Sequence, residues 1–244
     1  MNNRKIALVT GANKGIGFET ARQLGKNGMT VLLGARDAEK GEKASAGLRK
    51  EGIDAHSIVI DVSDSESIKN AVATVERDFG RLDILVNNAG VMIDDKTKRV
   101  SDQSLAMWRE TFDTNLFGLI ETTQAFLPML RKSEAGRIVH LTSILGSTGL
   151  HAEPGSPIYR NKDTPAYNVS KAAVNAYTVQ LAHELKDTKI KVNAAHPGWV
   201  KTDMGGPGAI MELEDGAKTS VALALVSADG PTGTYEHMGK PLPW

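Results

Sequence analysis

The sequence has no cysteine, and its formal charges cancel. None of its 244 residues is a cysteine, which excludes disulfides, thiolate catalysis and cysteine-based metal sites and fits a reducing compartment. Lysine and arginine together number 29, as do aspartate and glutamate, so no overall electric field recruits nucleic acid or an anionic membrane. We therefore expect no nucleic-acid partner and no membrane partner.

Long apolar runs are missing as well. The first run, Ile6 to Val9, is too short for the hydrophobic region of a signal peptide, and no later run approaches the length that spans a bilayer. The six histidines have no metal-ligand spacing, and a lone one such as His140 or His196 is expected to be packed or capped. These absences predict a cytoplasmic protein without a metal site.

The chain does contain a regular alternation of short β-branched or leucine-rich runs with amphipathic stretches. This alternation is typical of right-handed βαβ units, and the length suits one large domain. We predict a single Rossmann-type, doubly wound α/β domain over residues 1–244, with a seven-stranded parallel sheet flanked by helices. The predicted strands lie near residues 5–9, 30–35, 54–60, 82–87, 136–142, 189–195 and 233–236.

Helices are predicted between these strands. One covers Gly15–Asn27, and another covers Ala38–Lys50 with Asp37 as its N-cap. A third follows Asp64. The region Ser101–Lys132 is long enough for one long helix or for two.

A glycine-rich turn, Thr10 to Gly17, follows the first strand and opens the first helix. Gly11 lets the chain turn sharply, Gly15 lets backbone amides approach a pyrophosphate, and Gly17 lets the helix pack close to the sheet. The helix N-terminus adds free N–H donors and partial positive charge. We interpret the turn as a dinucleotide-phosphate cradle; the alternative is a glycine-rich turn that binds nothing.

The end of the second strand indicates which dinucleotide is used. An NAD enzyme places a carboxylate there for the ribose hydroxyl, whereas an NADP enzyme needs a cation for the 2′-phosphate. Arg36 stands at this position, and Lys14 in the glycine turn is a second cation within reach. Asp37 would favour NAD, but it is explained more simply as the N-cap. The sequence thus predicts NADP(H).

Two further strand ends carry polar residues. Asp61 is suited to accept from an adenine amino group while Val62 packs on the ring, and the segment Asn87–Gly90 permits close approach to a ribose. An Asn pair there is also able to pin neighbouring strand ends, although a plain turn would use the same residues. The charge run Asp94–Lys96 is expected to be solvated, and we assign it no chemistry.

Tyr167 and Lys171 lie four residues apart, on one face of a predicted helix, and Ser143 ends the fifth strand. A free tyrosine, with a pKa of about 10, is a poor acid at neutral pH, and a fixed cation nearby is expected to lower that pKa. This pattern predicts a general acid, although Tyr and Lys at this spacing also occur by chance.

The motifs together resemble those of the short-chain dehydrogenases/reductases over essentially the whole chain. The resemblance rests on the TGxxxGIG turn, the segment Asn87–Gly90, Ser143, the YxxxK pair and Pro197–Gly198, all in the family's order. It implies that Tyr167 donates the proton, Ser143 polarises the carbonyl oxygen and Lys171 binds the nicotinamide ribose. It also implies that Asn115 interrupts a helix and holds a water linked to the lysine.

Within that family, Lys14, Arg36 and the segment Pro197–Met204 are most similar to the NADPH-dependent carbonyl reductases. The resemblance implies a catalytic set of Asn115, Ser143, Tyr167 and Lys171. The expected cofactor contacts comprise the glycine turn, the strand-end residues, the YxxxK pair and the segment that contacts nicotinamide in the family. They are Gly11, Asn13, Lys14, Gly15, Ile16, Gly17, Arg36, Asp61, Val62, Asn88, Ala89, Gly90, Tyr167, Lys171, Pro197, Val200 and Thr202.

The expected substrate is an apolar carbonyl compound held by Ser143, Leu145 and Trp199, and Met204, Ile210 and Met211 extend this pocket. Gly146–Thr164 is longer than in typical family members, and we expect it to cover the helix face used by tetramers, with Ile158 and Tyr159 buried there. A monomer is thus favoured over a homodimer. The alternative is that this segment covers the active site and leaves that helix face free for a dimer. Alternative functions are an oxoacyl thioester reductase, a nucleotide-sugar isomerase or dehydratase, and a nucleotide-sensing regulator without turnover.

Overall fold

A computed structural model describes residues 4–244, and one sheet runs through them. The strands are β1 (Ile6–Val9), β2 (Thr30–Ala35), β3 (Ala55–Val59), β4 (Ile84–Asn87), β5 (Arg137–Leu141), β6 (Lys191–Ala195), β7 (Tyr235–His237) and β8 (Lys240–Pro241). The helices are α1 (Gly15–Lys26), α2 (Ala38–Lys50), α3 (Ser65–Phe79), α4 (Leu105–Phe112), α5 (Gly118–Leu130), α6 (Thr148–Ala152), α7 (Pro165–Glu184) and α8 (Leu213–Ala224).

The strands are ordered β3-β2-β1-β4-β5-β6-β7-β8, and β1 to β7 are parallel. This order confirms the doubly wound α/β fold, because the chain first moves outward from β1 to β3 and then crosses back to β4. The strand ends on either side of that reversal form the crevice where such folds bind ligands.

The predicted seven-stranded parallel sheet is wrong in one detail, since β8 is an eighth strand and pairs antiparallel with β7. The two strands are joined by Met238 and Gly239, whose φ angles of 50° and 74° suit a two-residue hairpin turn. A two-residue strand that contains Pro241 gives no alternating pattern, and proline is tolerated there because the strand lies at the sheet edge.

Alternate residues of the strands face two different helical layers. On one face, Val9 and Leu33 pack with α1, α2 and α8 through residues such as Leu24. On the other face, Leu8 and Leu32 pack with α3, α5 and α7. Both faces are therefore covered by helices, as the continuous apolar runs of the strands require.

The helix predictions are confirmed with one refinement. Asp37 caps α2 by accepting from Lys40 N at 3.0 Å, and Asp64 caps α3. The region Ser101–Lys132 holds α4 and α5, joined without a break by a π-helical turn at Asp113–Phe117. Such turns occur often at functional sites.

Residues 4–244 contain neither a membrane-spanning helix nor a cluster of metal-ligating side chains. No helix in this range is both long and apolar enough to cross a bilayer. Nor does this part of the chain bring together three or more histidine, aspartate or glutamate side chains in a way that could hold a metal ion.

Candidate active site

Asn88, just beyond β4, connects the glycine turn to the centre of the sheet. Its side-chain Nδ2 donates to Thr10 O at 2.7 Å and to Gly11 O at 3.1 Å. Gly17 packs directly against this amide, since a Cβ on Gly17 would lie 2.4 Å from Asn88 Nδ2. The expected pinning of strand ends by asparagine is thus present, and it fixes the turn at the switch point of the sheet.

Several of the residues that the sequence assigns to the cofactor lie together at these strand ends. Thr10 Oγ1 accepts from the amides of Asn88 and Ala89, both at 3.0 Å, so the loop after β4 is tied to the turn. A Cβ on Gly90 would lie 3.2 Å from Asn115 Oδ1 and 3.5 Å from Lys171 Nζ, so this glycine lies close to both of these predicted catalytic residues.

The ends of β2 and β3 carry Arg36 and Asp61, which the sequence assigns to the adenosine part of the cofactor. Arg36 is exposed at the tip of β2. Burial raises the pKa of Asp61, but hydrogen bonds from Ser63 and the charge of Arg36 outweigh it and hold the pKa below its usual value. An anionic Asp61 beside a solvent-facing guanidinium is compatible with an adenosine that carries a 2′-phosphate.

Lys14 connects the glycine turn to the loop after β6. Its Nζ lies 2.6 Å from Asp203 Oδ2, and this contact lowers the pKa of Asp203. The same loop is closed by a β-bridge between Val200 and Met211. Thr202 accepts from Gly205 N at 3.1 Å. The loop therefore reaches over the turn where we expect the pyrophosphate.

Tyr167 and Lys171 lie on α7 and are 8% and 4% exposed. Lys171 Nζ donates to Leu141 O at 2.9 Å and lies 5.7 Å from the ring centroid of Tyr167. Asn115 belongs to the π-helical turn, which directs its side chain to the loop after β4. There it accepts from Val91 N at 2.7 Å and donates to Val91 O at 2.9 Å.

The expectation that Lys171 lowers the pKa of Tyr167 is wrong. Burial raises the pKa of Tyr167 to about 12, against the opposing effect of a hydrogen bond with Ser143. Burial also lowers the pKa of Lys171 to about 8. The loss of hydration therefore sets the direction of both shifts, and it keeps the phenol in the protonated form that a proton donor needs.

Ser143 lies at the end of β5, in a turn that packs tightly on α7. Its Oγ accepts from Leu145 N at 3.2 Å. Gly146 makes the tight packing possible, since a Cβ there would lie 2.8 Å from the carbonyl carbon of Lys171. His196 also holds this turn, because its Nδ1 accepts from Ile144 N at 3.2 Å and, within its own loop, from Gly198 N at 3.3 Å. His196 is buried, so the expectation of a packed or capped histidine is confirmed.

The predicted substrate residues differ in exposure. Leu145 is half-buried, whereas Trp199 is 54% exposed and Ile210 is 75% exposed. The indole Nε1 of Trp199 donates to Gly205 O at 2.8 Å, and its ring leaves no space for a Cβ at Gly208. Trp199 thus also holds the glycine-rich loop, which the sequence did not predict.

The long segment Gly146–Thr164 contacts α7 both at its first turn and farther along, where Gly146 O accepts from Asn175 Nδ2 at 3.3 Å. Asn161 O accepts from Asn168 Nδ2 at 3.1 Å, and Ile158 is buried. Tyr159, expected to be buried on the helix face, is instead exposed and lies beside Lys162. Farther along α7, Val179 stays 39% exposed.

Sequence reasoning missed two residues of the site. Asp94, assigned to a solvated charge run, instead accepts from Ala166 N at 2.7 Å and from Tyr167 N at 3.2 Å. Tyr235 of β7 is buried, and its hydroxyl donates to Ser143 O at 2.7 Å. No local pattern could have found them, because both contacts join residues more than 70 positions apart.

The chain resembles known proteins over nearly its full length. A family profile described as short chain dehydrogenase matches residues 5–209. The short-chain dehydrogenase anuI of Penicillium roqueforti is 39% identical, with 91% of this chain and 88% of the fungal protein aligned. NADPH carbonyl reductase 1 of Mus musculus is 33% identical, with 100% of this chain and 99% of the mouse protein aligned.

Solved structures agree. The crystal structure of the NADPH-bound carbonyl reductase from chicken fatty liver superimposes with a TM-score of 0.86 at 27% identity, covering 99% of this chain and 94% of that one. These matches confirm the resemblance seen in the motifs, and the chain belongs to the short-chain dehydrogenase family of oxidoreductases.

Proposed function

We propose that the protein is an NADPH-dependent carbonyl reductase that converts a ketone or aldehyde to an alcohol. The observation that carries the proposal is the meeting of Ser143, Tyr167 and Lys171 beside Gly90, in the crevice that the glycine turn opens. Two hydroxyl groups and one buried ammonium group that meet in this way suit hydride transfer coupled to proton transfer.

The cofactor is NADP(H), which supplies the hydride when bound. Arg36 binds its 2′-phosphate, and Lys14 adds a second positive charge once the phosphate competes with Asp203. The backbone amides of the glycine turn receive the pyrophosphate. Gly90 admits the nicotinamide ribose to Lys171.

The proton moves through the chain's own side chains. Ser143 donates to the carbonyl oxygen and orients it toward Tyr167, whose protonated phenol gives up its proton as the alkoxide forms. Lys171 stabilises the phenolate left behind, since its ammonium lies on the same helix face and is held by Leu141 O. Asn115 fixes the loop that lines the opposite side of this group.

The substrate is an apolar, bulky carbonyl compound. Support comes from the apolar side chains around the mouth of the crevice, of which Trp199 and Ile210 are the most exposed. A cluster of exposed apolar groups beside a catalytic group is typical of a ligand-binding site.

We also favour a monomer. The segment Gly146–Thr164 projects at the start of α7, where it would meet itself in a symmetric pairing of these helices. The homodimer is the alternative, and the exposure of Phe117 and Val179 supports it. Light scattering at micromolar concentration distinguishes the two states. The molar mass of a single chain would support the proposed monomer, and a stable dimer would contradict it.

The test of the function is NADPH oxidation, followed by absorbance, over a panel of ketones, aldehydes, quinones and acetoacetyl thioesters. We expect turnover of bulky ketones, and a fall by orders of magnitude in Tyr167→Phe while NADPH binding persists. Activity confined to thioesters would indicate an oxoacyl reductase. No activity on any compound would overturn the proposal and favour a nucleotide-sensing protein.

A further inference from the structure

Helix α7, which carries Tyr167 and Lys171, begins without a cap from its own residues. Thr164 occupies the N-cap position, but its hydroxyl donates to Asn168 Oδ1 at 3.0 Å and caps nothing. Pro165 follows and has no N–H. The first backbone donors of the helix are thus Ala166 N and Tyr167 N, both in a largely buried turn.

Asp94 satisfies both donors from a distant part of the chain. One carboxylate oxygen lies 2.7 Å from Ala166 N, and the other lies 3.2 Å from Tyr167 N. The other two aspartate caps, Asp37 and Asp64, lie directly before the helices that they cap. Asp94 is therefore a bridge between two elements, and it holds the amide of the proton donor itself.

The loop that carries Asp94 is the one that begins with the expected ribose contacts. Asn115 holds this loop at Val91 and also donates to Ser170 Oγ of α7 at 3.0 Å. The loop and the helix are thus joined at two points, one on each side of Tyr167. An anion at a helix N-terminus is also favoured by the helix dipole.

We propose that Asp94 is a positioning residue for the reaction, which fixes the first turn of α7 so that the phenol of Tyr167 is held in register with the cofactor-binding loop. The proposal rests on the proposed function. Asp94 is not required for cofactor binding itself, because Asn88 and Ala89 are anchored separately by Thr10 Oγ1.

The test compares Asp94→Ala and Asp94→Asn with Asp95→Ala. Asp95 is the matched control, since it is the neighbouring carboxylate of the same loop and contacts Thr97 and Lys98 rather than α7. We expect kcat for a ketone of the panel to fall about tenfold or more in Asp94→Ala, as even small misplacements of reacting groups are costly. The NADPH dissociation constant should stay within about twofold in all variants because the cofactor loop keeps its Thr10 anchor.

Asp94→Asn provides the rescue, because its amide keeps one acceptor oxygen and should restore part of kcat. Equal kcat in Asp94→Ala and Asp95→Ala would overturn the proposal, as would a loss confined to NADPH binding.

Hydrogen exchange of the α7 first turn adds a readout that does not need turnover. Exchange at Ala166 and Tyr167 should be faster in Asp94→Ala alone. If the wild type reduces no carbonyl compound, the proposed function fails. Unchanged hydrogen exchange at Ala166 and Tyr167 in Asp94→Ala would separately overturn the role of Asp94.

Discussion

The hydroxyl of Tyr235 donates a 2.7 Å hydrogen bond to the main-chain oxygen of Ser143. The two residues are 92 positions apart, and the bond anchors the turn that presents the serine hydroxyl to the crevice. Tyr235 is buried, so the oxygen that it satisfies has no ready access to water.

Removing this bond should weaken both the fold and the reaction. In Tyr235→Phe, Ser143 O keeps its bond from Gly146 N at 2.8 Å and loses one of two donors, which costs about 0.5–1.5 kcal/mol of unfolding free energy. We also expect a lower kcat, because Ser143 loses a fixed position. Denaturant unfolding and steady-state kinetics measure the two effects. Tyr177→Phe, a partly buried tyrosine outside the site, serves as the control; equal kcat losses in both variants would contradict a link to Ser143.

The pH profile of the reduction should reflect Lys171 rather than Tyr167. Burial lowers the pKa of Lys171 to about 8 and raises that of Tyr167 to about 12. As pH rises through about 8, the lysine loses the charge that stabilises the phenolate, while the phenol stays protonated. We expect kcat/KM for reduction to decline above that pH, since this parameter reports the free enzyme. A profile that is flat to pH 10 would be evidence against it.

Arg36→Ala should change the choice of cofactor. A charge-assisted hydrogen bond contributes about 1.5–3 kcal/mol, and each 1.4 kcal/mol is tenfold in affinity. We expect the KM for NADPH to rise about tenfold or more, with little change for NADH. Lys40→Ala removes a nearby cation of α2 that pairs with Asp37 and is the control. Equal losses with both cofactors would rule out contact between Arg36 and the 2′-phosphate.

The stability of the protein should fall as the pH decreases from about 6.5 toward 3, in part because of His140. Burial lowers the pKa of this imidazole to about 3, so between these values the unfolded chain binds a proton that the folded chain does not. One such proton changes the unfolding free energy by about 1.4 kcal/mol per pH unit. Urea unfolding of His140→Asn should show a smaller slope than the wild type, and identical slopes would refute the assignment.

Trp199 should affect both substrate choice and the loop that it holds. Trp199→Ala removes the ring and the bond to Gly205 O, whereas Trp199→Phe keeps a ring without the N–H donor. If the ring contacts substrate, the preference for aryl over small aliphatic ketones falls in the alanine variant and survives in the phenylalanine variant. An unchanged ranking in both would make Trp199 a structural residue only.

Short-range patterns predicted much of the fold. The sequence correctly predicted the first seven strands, the α2 cap at Asp37 and the long helical region, because periodicity and capping act within a few residues. The β8 strand was missed, since two residues with a proline carry no period. In the site, too, local patterns reached only part of the answer, because only the motif residues could be predicted from their spacing.

Contacts between distant residues and pKa shifts caused by burial could not be predicted from the sequence. Asp94 looked like part of a solvated charge run, and nothing near it in the chain indicated a helix start 72 residues away. The pKa of Tyr167 was expected to fall because a lysine lies one turn away. In the folded protein the loss of hydration dominates, and its size follows from packing that no local pattern specifies.

The π-helical turn at Asp113–Phe117 limits which insertions and deletions the protein tolerates. A π turn amounts to one extra residue within an α-helix. Deleting that residue would leave a regular helix, but α4 would rotate by about 100° relative to α5. Asn115 would then turn away from Val91. Insertions and deletions that a surface loop tolerates would therefore disturb the site if they occurred in this helix.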